Sequence, residues 1–151
     1  MEIQDNTAER TLSISKKLKA PVEKVWEAWS NPEHIAMWWG PKELPVKIVN
    51  HDFKIGGKWR YTMKLPDGNT FISDGTYADI VNYKKISTSA DFKPLTIGVV
   101  LQIIFIEEEK GTRIDFHVLH PTIAYCKQQE GAGFYNGWNA AFERLEHFLN
   151  K

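Results

Sequence analysis

"GFYNGWNAAFERLEHFL", residues 133–149, decides how the rest of the chain is read. Phe134, Trp138, Ala141, Leu145, Phe148 and Leu149 recur at helical spacing, over about four turns. Asn136, Asn139, Glu143, Arg144 and Glu146 fall mostly on the other side. The C-terminus is therefore one long amphipathic helix with a single apolar face. Most of the chain between residues 57 and 120 reads as strand, so this helix is the only long cover for a one-sided antiparallel sheet. A sheet curved strongly around one helix leaves room between them unless large side chains fill it.

Working backwards, "GKWRYTMKL" (57–65) puts Trp59, Tyr61, Met63 and Leu65 on one face and Lys58, Arg60, Thr62 and Lys64 on the other. "PDGN" (66–69) is a strong turn signal, so 57–65 and 70–80 are expected to pair as a hairpin. Further strands are expected near 84–92, 97–107 and 112–120, with turns at "FKPL" and "EEEKG"; Ile114, Phe116 and Val118 share one face of the last. Upstream, "TLSISKKLK" (11–19) alternates as a half-buried strand. In "APVEKVWEAWS", Pro21 starts a helix whose Val22, Val25, Trp26 and Trp29 share one face. Asn31 reads as the N-cap of a second short helix, with Pro32 and Glu33 in its first turn. That helix ends at "WWGP" (38–41), where Gly40 can take a positive φ and Pro41 forbids continuation. The order predicts a flexible segment at 1–10 and one α+β domain over 11–151: a strand, two short helices, about six antiparallel strands and the long helix.

With 151 residues the chain can bury a substantial core without metals or disulfides. Nineteen basic and nineteen acidic residues cancel, so no long-range field draws in nucleic acid or an anionic membrane, and neither is an expected partner. The lone cysteine, Cys126, cannot form an internal disulfide and suits a reducing cytoplasm. The polar, acidic start "MEIQDNTAER" is unlike a signal peptide. The longest apolar run, "IGVVLQIIFI" (97–106), is roughly half a membrane span. A cytoplasmic location is expected.

Five stretches, "APVEKVWEAWSNPEHIAMWWGP", "GGKWRYTMKLPDG", "GTYADIVNYKKIS", "GTRIDFHVLH" and "GWNAAFERLEHFL", resemble the START-like (SRPBCC) superfamily. Within it they look like the family named for the C-terminal domain of the activator of the 90-kDa heat-shock protein's ATPase. The resemblance runs from residue 11 onward, and its most specific parts are WWGP and the GWxxxxxRL of the last helix. It implies a helix-grip fold (START/Bet v 1-like), a curved antiparallel sheet holding the C-terminal helix over an internal cavity. Relatives bind hydrophobic small molecules, act as cyclases or resistance proteins in natural-product pathways, or serve as cochaperones. In phase with the family pattern, Leu101, Ile103 and Phe105 face inward, which turns Val100, Ile104 and Ile106 outward. An apolar cluster on a solvated face suggests contact, here a homodimer.

The expected function is binding of an apolar or aromatic small molecule between sheet and helix. Its candidate ligand-binding residues are Trp38, Trp39, Trp59, Tyr61, Met63, Phe116, His120 and Trp138. Successive helical residues point about 100° apart, so Trp38 and Trp39 cannot both face one interior, and Trp39 is favoured. Tyr61 is the most informative, because a buried phenol needs a hydrogen-bond partner. A filled aromatic core is the alternative throughout. If Trp39 faces space, truncating it should leave the fold intact. His117 and His120 lie an odd distance apart on a strand, which sends them to opposite faces and argues against a metal pair. His120 is a polar anchor at the cavity rim or is solvated. His51 and Asp52 diverge for the same reason. No catalytic residue, metal or cofactor is expected: GxSxG, HExxH, P-loop and GxGxxG motifs are missing. Cys126 has no evident base, and Asp74, Asp79, Asp91 and Asp115 are scattered. The rival readings are a cochaperone-like interaction domain and a cavity enzyme such as a cyclase or hydrolase.

Overall fold

The computed structural model describes residues 7–40, 43–93 and 96–150. Its strands are β1 (Thr11–Leu18), β2 (Val46–His51), β3 (Lys58–Lys64), β4 (Thr70–Val81), β5 (Lys85–Lys93), β6 (Thr96–Glu108) and β7 (Gly111–Leu119). Its helices are α1 (Val22–Ser30), α2 (Pro32–Trp38), α3 (Ile123–Gly131) and α4 (Phe134–Leu149). The described strands form one antiparallel sheet in the order β1-β7-β6-β5-β4-β3-β2. Each strand from β2 to β7 pairs with its chain neighbour, while β1 closes onto β7, with Thr11 opposite Leu119 and Leu18 opposite Thr112. Register shifts at Ile48/Asn50, Tyr77/Asp79 and Ala90/Phe92 bend the sheet around the helix face.

Local chemistry sets the corners. The β3–β4 hairpin turns where the Asp67 carboxylate accepts the Asn69 N–H at 2.9 Å, and Gly68 takes φ +91°. Asn31 caps α2 by accepting the Glu33 N–H at 3.0 Å, and Gly40 ends that helix pair with φ +76°. Met63 of β3 lies against Gly40, where any Cβ would meet its sulfur.

The inner face of β6 carries Val99, Leu101, Ile103 and Phe105, all buried, and the last three were expected there. Val100, Ile104 and Ile106 point outward; Val100 is exposed and the other two are half-buried. On α4, Ala141, Phe142, Leu145 and Leu149 are buried. Phe142, which the spacing argument left out, has no exposed surface. Trp138 is half-buried. Arg144 reaches from α4 to the end of α2, donating to the carbonyls of Met37 at 3.0 Å, Trp39 at 3.3 Å and Gly40. These are carbonyls a helix end leaves without partners, and a planar guanidinium can serve several at once. Lys24 does the converse, donating to Leu149 O at 2.6 Å.

Two elements escaped the pattern. β2 is short, and its alternation breaks at a bulge that leaves Val49 exposed. α3 buries only Cys126, so it shows no apolar stripe; it parts from α4 at Gly133, whose φ is +106°. At the N-terminus, Ala8–Arg10 forms a 3-10 turn tied to His120: Arg10 Nη1 donates to His120 O at 2.7 Å, and His120 N donates to Arg10 O at 2.8 Å. Residues 1–6 of the expected flexible segment, Pro41 of "WWGP" and Pro94 and Leu95 of "FKPL" lie outside the described residues. Among the described residues no helix is long and apolar enough to cross a membrane.

Candidate functional site

The interior between sheet and helices divides by chemistry. Along β1, β7 and α4 it is hydrocarbon and aromatic rings. Phe116 lies 5.1 Å from Phe142 and 4.6 Å from Trp138 by ring centroid, and Ile114, Leu145, Phe116 and Phe142 are fully buried. Along β3, β4 and β5 the inward residues are Trp59, Tyr61, Tyr77, Ile86 and Thr88, and here the packing leaves a void of about 30 Å³. Trp29, Ile35 and Trp39 close it from the helix pair, and Leu101 and Ile103 from β6.

Each polar group at this end has a structural origin. Trp59 lies across Gly75, its cross-strand partner, where a Cβ would collide with Ser89 O and crowd the indole. Lying flat there, it donates Nε1–H to Thr88 Oγ1 at 2.8 Å. The Thr88 hydroxyl in turn has Ser89 O at 2.8 Å and Thr76 O at 3.0 Å. Tyr61 finds its partner in His51, with Nδ1 2.8 Å from the phenol oxygen. His51 Nε2 is 2.7 Å from Ser30 O at the end of α1. A carbonyl only accepts, so Nε2 carries the proton and Nδ1 accepts from Tyr61. The chain therefore runs from Tyr61 through His51 to Ser30. Burial holds His51 below its ordinary value, against the opposing pull of the Ser30 bond and Asp52, which agrees with the neutral ring. Burial pushes the Tyr61 phenol far up and that of Tyr77 up to about 12. Both therefore stay protonated and act as hydrogen-bond groups, not bases.

One group is left over. Among the described residues, the buried side-chain nitrogens with no hydrogen-bond partner are Trp29 Nε1 and His34 Nδ1. Trp29 lines the void.

Of the residues named from sequence, Trp39, Trp59 and Tyr61 line the void. Trp38 does not: it is fully buried, 4.7 Å from the Trp29 ring, and donates Nε1–H to Ala28 O at 2.9 Å, which pins α2 to α1. Phe116 sits under α4, and Met63 lies at the Gly40 corner. Trp138 packs 5.8 Å from Trp39 and 5.7 Å from Phe92. His120 is neither a rim anchor nor solvated: it is 1% exposed, its Nδ1 is 3.1 Å from Arg10 O, and Tyr125 and Phe134 flank its ring. The residue directly after β7 is captured by the N-terminal turn, which strand phase alone does not reveal. His117 faces the other way and meets Ser13 Oγ at 2.6 Å. Nor does Trp39 face open space; Trp38, Trp59, Tyr61, Phe92 and Trp138 all surround it at 5.4–6.3 Å.

His51 is a site residue that the sequence did not nominate. Strict alternation from Val46 and Ile48 sends Asn50 inward; the bulge at Val49 advances the phase and delivers His51.

The scattered aspartates serve the surface. Asp74 pairs with Arg60 at 3.0 Å, Asp79 with Lys85 at 2.8 Å and Asp115 with Arg113 at 3.1 Å, while Asp91 accepts the Gly98 N–H at 2.7 Å. Burial pushes the Cys126 thiol up, away from the nucleophilic thiolate. Among the described residues no cluster of three or more His, Cys, Asp and Glu could hold a metal ion. A larger concavity of about 560 Å³ crosses the outer sheet face, but Lys58, Arg60, Asp74 and Asp91 give it charges of both signs.

A curved antiparallel sheet gripping a long C-terminal helix, with a helix pair plugging one end, defines the helix-grip class of α+β domain. Within that class the chain belongs to the family described as Activator of Hsp90 ATPase homolog 1-like protein, whose pattern matches residues 19–150. Among solved structures, a protein from Nitrosomonas europaea is similar at 26% identity and a TM-score of 0.82, over 95% of this chain and 96% of that one. One from Arthrobacter aurescens has a TM-score of 0.86 at 21% identity, covering 99% of this chain and 91% of its own. An AHSA1-like protein from Aeromonas hydrophila has a TM-score of 0.75 at 22% identity, over 93% and 92% of the two chains. The last two likenesses speak to fold alone. No curated protein matches the chain.

Proposed function

We propose that the domain binds an apolar or aromatic small molecule at the β3–β5 end of its interior. The observation that supports this is the wall of the void: Trp39, Trp59, Tyr61, Tyr77 and Thr88 surround it with aromatic faces and a few fixed polar groups. Such a lining is what small-molecule sites use. At about 30 Å³ the void has room for water but not for a ring. A guest therefore has to displace a side chain, and Trp39 is the movable wall, since the Phe92 and Trp138 rings beside it are only half-buried.

The same small volume favours a second reading, an interaction domain of the cochaperone kind in which this end is solid core. Indole N–H resonances separate the two. Titration with a panel of aromatic and fatty compounds should shift the signals of Trp29, Trp39 and Trp59. Trp26, which packs with Phe53, Tyr83 and Phe105 away from the void, should stay unmoved. A panel that moves none of them leaves the interaction reading standing.

A further inference from the structure

Resting on that reading, we infer that the guest is an uncharged molecule whose hydrogen-bond acceptor, a ketone, ester or ether oxygen, is taken by the Trp29 indole N–H. The inference follows from counting donors and acceptors around the void. Trp59 N–H is used by Thr88, the Thr88 hydroxyl has Ser89 O and Thr76 O, and the Tyr61 hydroxyl is given to His51. Trp29 Nε1 alone among the lining residues is a buried donor with no acceptor. A buried N–H left unmatched costs free energy that a guest's oxygen recovers.

Charge narrows the class further. None of the residues lining the void is Lys, Arg, His, Asp or Glu. A carboxylate entering there would lose its hydration and meet no cation, and an ammonium would meet no anion, so both are rejected. An aromatic hydrocarbon is admitted but leaves Trp29 unmatched. A neutral aromatic carbonyl satisfies both demands.

The test uses near-isosteric probes: acetophenone, and α-methylstyrene in which a methylene replaces the oxygen. Their affinities for the wild-type domain and for Trp29→Phe are compared, so that the difference in hydrophobicity cancels. The ketone-to-alkene affinity ratio should fall by about five-fold in the variant, the worth of one neutral hydrogen bond. Benzoate should bind neither protein. Should Trp29→Phe fail to fold, the wild-type indole resonance of Trp29 decides: acetophenone shifts it downfield and α-methylstyrene does not. An unchanged ratio, equal shifts with the two probes, or binding of benzoate overturns this inference while the binding reading survives. If neither probe binds at either protein the inference falls, and the wider panel of aromatic and fatty compounds decides whether the binding reading falls with it.

Discussion

The two halves of the interior are built from different side chains and solve different problems. Under α4 the facing residues are Phe116, Ile114, Phe142 and Leu145, which carry no polar atom beyond the backbone and are fully buried. Under the helix pair the facing residues are Trp59, Tyr61, Tyr77 and Thr88, whose polar atoms each demand a partner. Hydrocarbon packs wherever volume allows, but a hydrogen bond fixes angle as well as distance. The second half is therefore held by geometry and keeps a gap, while the first is held by contact. The gap and the unpartnered Trp29 indole nitrogen both belong to this second half.

The largest expected effect tests the closed half. Phe142→Ala should destabilise the domain by about 3–5 kcal/mol in urea unfolding, since a fully packed ring leaves a cavity that its neighbours cannot fill. A loss below about 1 kcal/mol would mean α4 does not rest on the sheet. Trp138→Ala should cost less, about 1–2 kcal/mol, because its ring is half-exposed and surrenders only part of its transfer energy. If the two substitutions cost the same, the boundary between the halves is misplaced. Tyr61→Phe probes the polar half with almost no change of volume. Removing the hydroxyl that donates to His51 should cost about 1 kcal/mol, and a neutral result would show that this hydrogen bond contributes nothing.

The smallest effect is a slope. Burial lowers the pKa of His51 and of His120 from the ordinary 6.5. The unfolded chain then binds protons that the native state refuses, so stability is full above pH 6.5 and declines as pH falls from there toward the lowered values. His51→Gln should flatten the decline in part, with the remainder due to His120. A stability that rises on acidification through this window would contradict the neutral tautomer assigned to His51.

The fold was legible because its long elements repeat a period many times. The stripe on α4 and the alternation Trp59, Tyr61, Met63 state their faces several residues over, and the capping chemistry at Asn31 and Gly40 marked the helix pair. What stayed hidden depended on single events. One bulge at Val49 reversed the phase that places His51, and α3 had no apolar stripe to declare it. The candidate site was legible at Trp39, Trp59 and Tyr61, since aromatic residues at inward phase must meet one another. Trp29 read as one more core tryptophan, and nothing in its spacing distinguishes an indole whose N–H is matched from one whose N–H is not. Trp38 and Trp39 show the difference that one hydrogen bond makes: Trp38 has Ala28 O and is structural, whereas Trp39 lines the void.

The pairing of β1 with β7 also governs the order in which the molecule can be made. Thr11 needs Leu119, Lys24 needs Leu149, and the carbonyl of Met37 needs Arg144. An emerging chain can form its β2–β6 hairpins as they leave the ribosome, but β1 and the helix pair wait for β7 and α4, which are made after them. Contacts of such separation are slow to close and leave apolar surface uncovered meanwhile. Trp26, Trp29, Trp38 and Trp39 all belong to that waiting region, so the most aromatic part of the molecule is born early and buried late. A nascent chain arrested with α4 still inside the ribosomal tunnel should remain protease-sensitive around the helix pair, and emergence of α4 should protect it in one step.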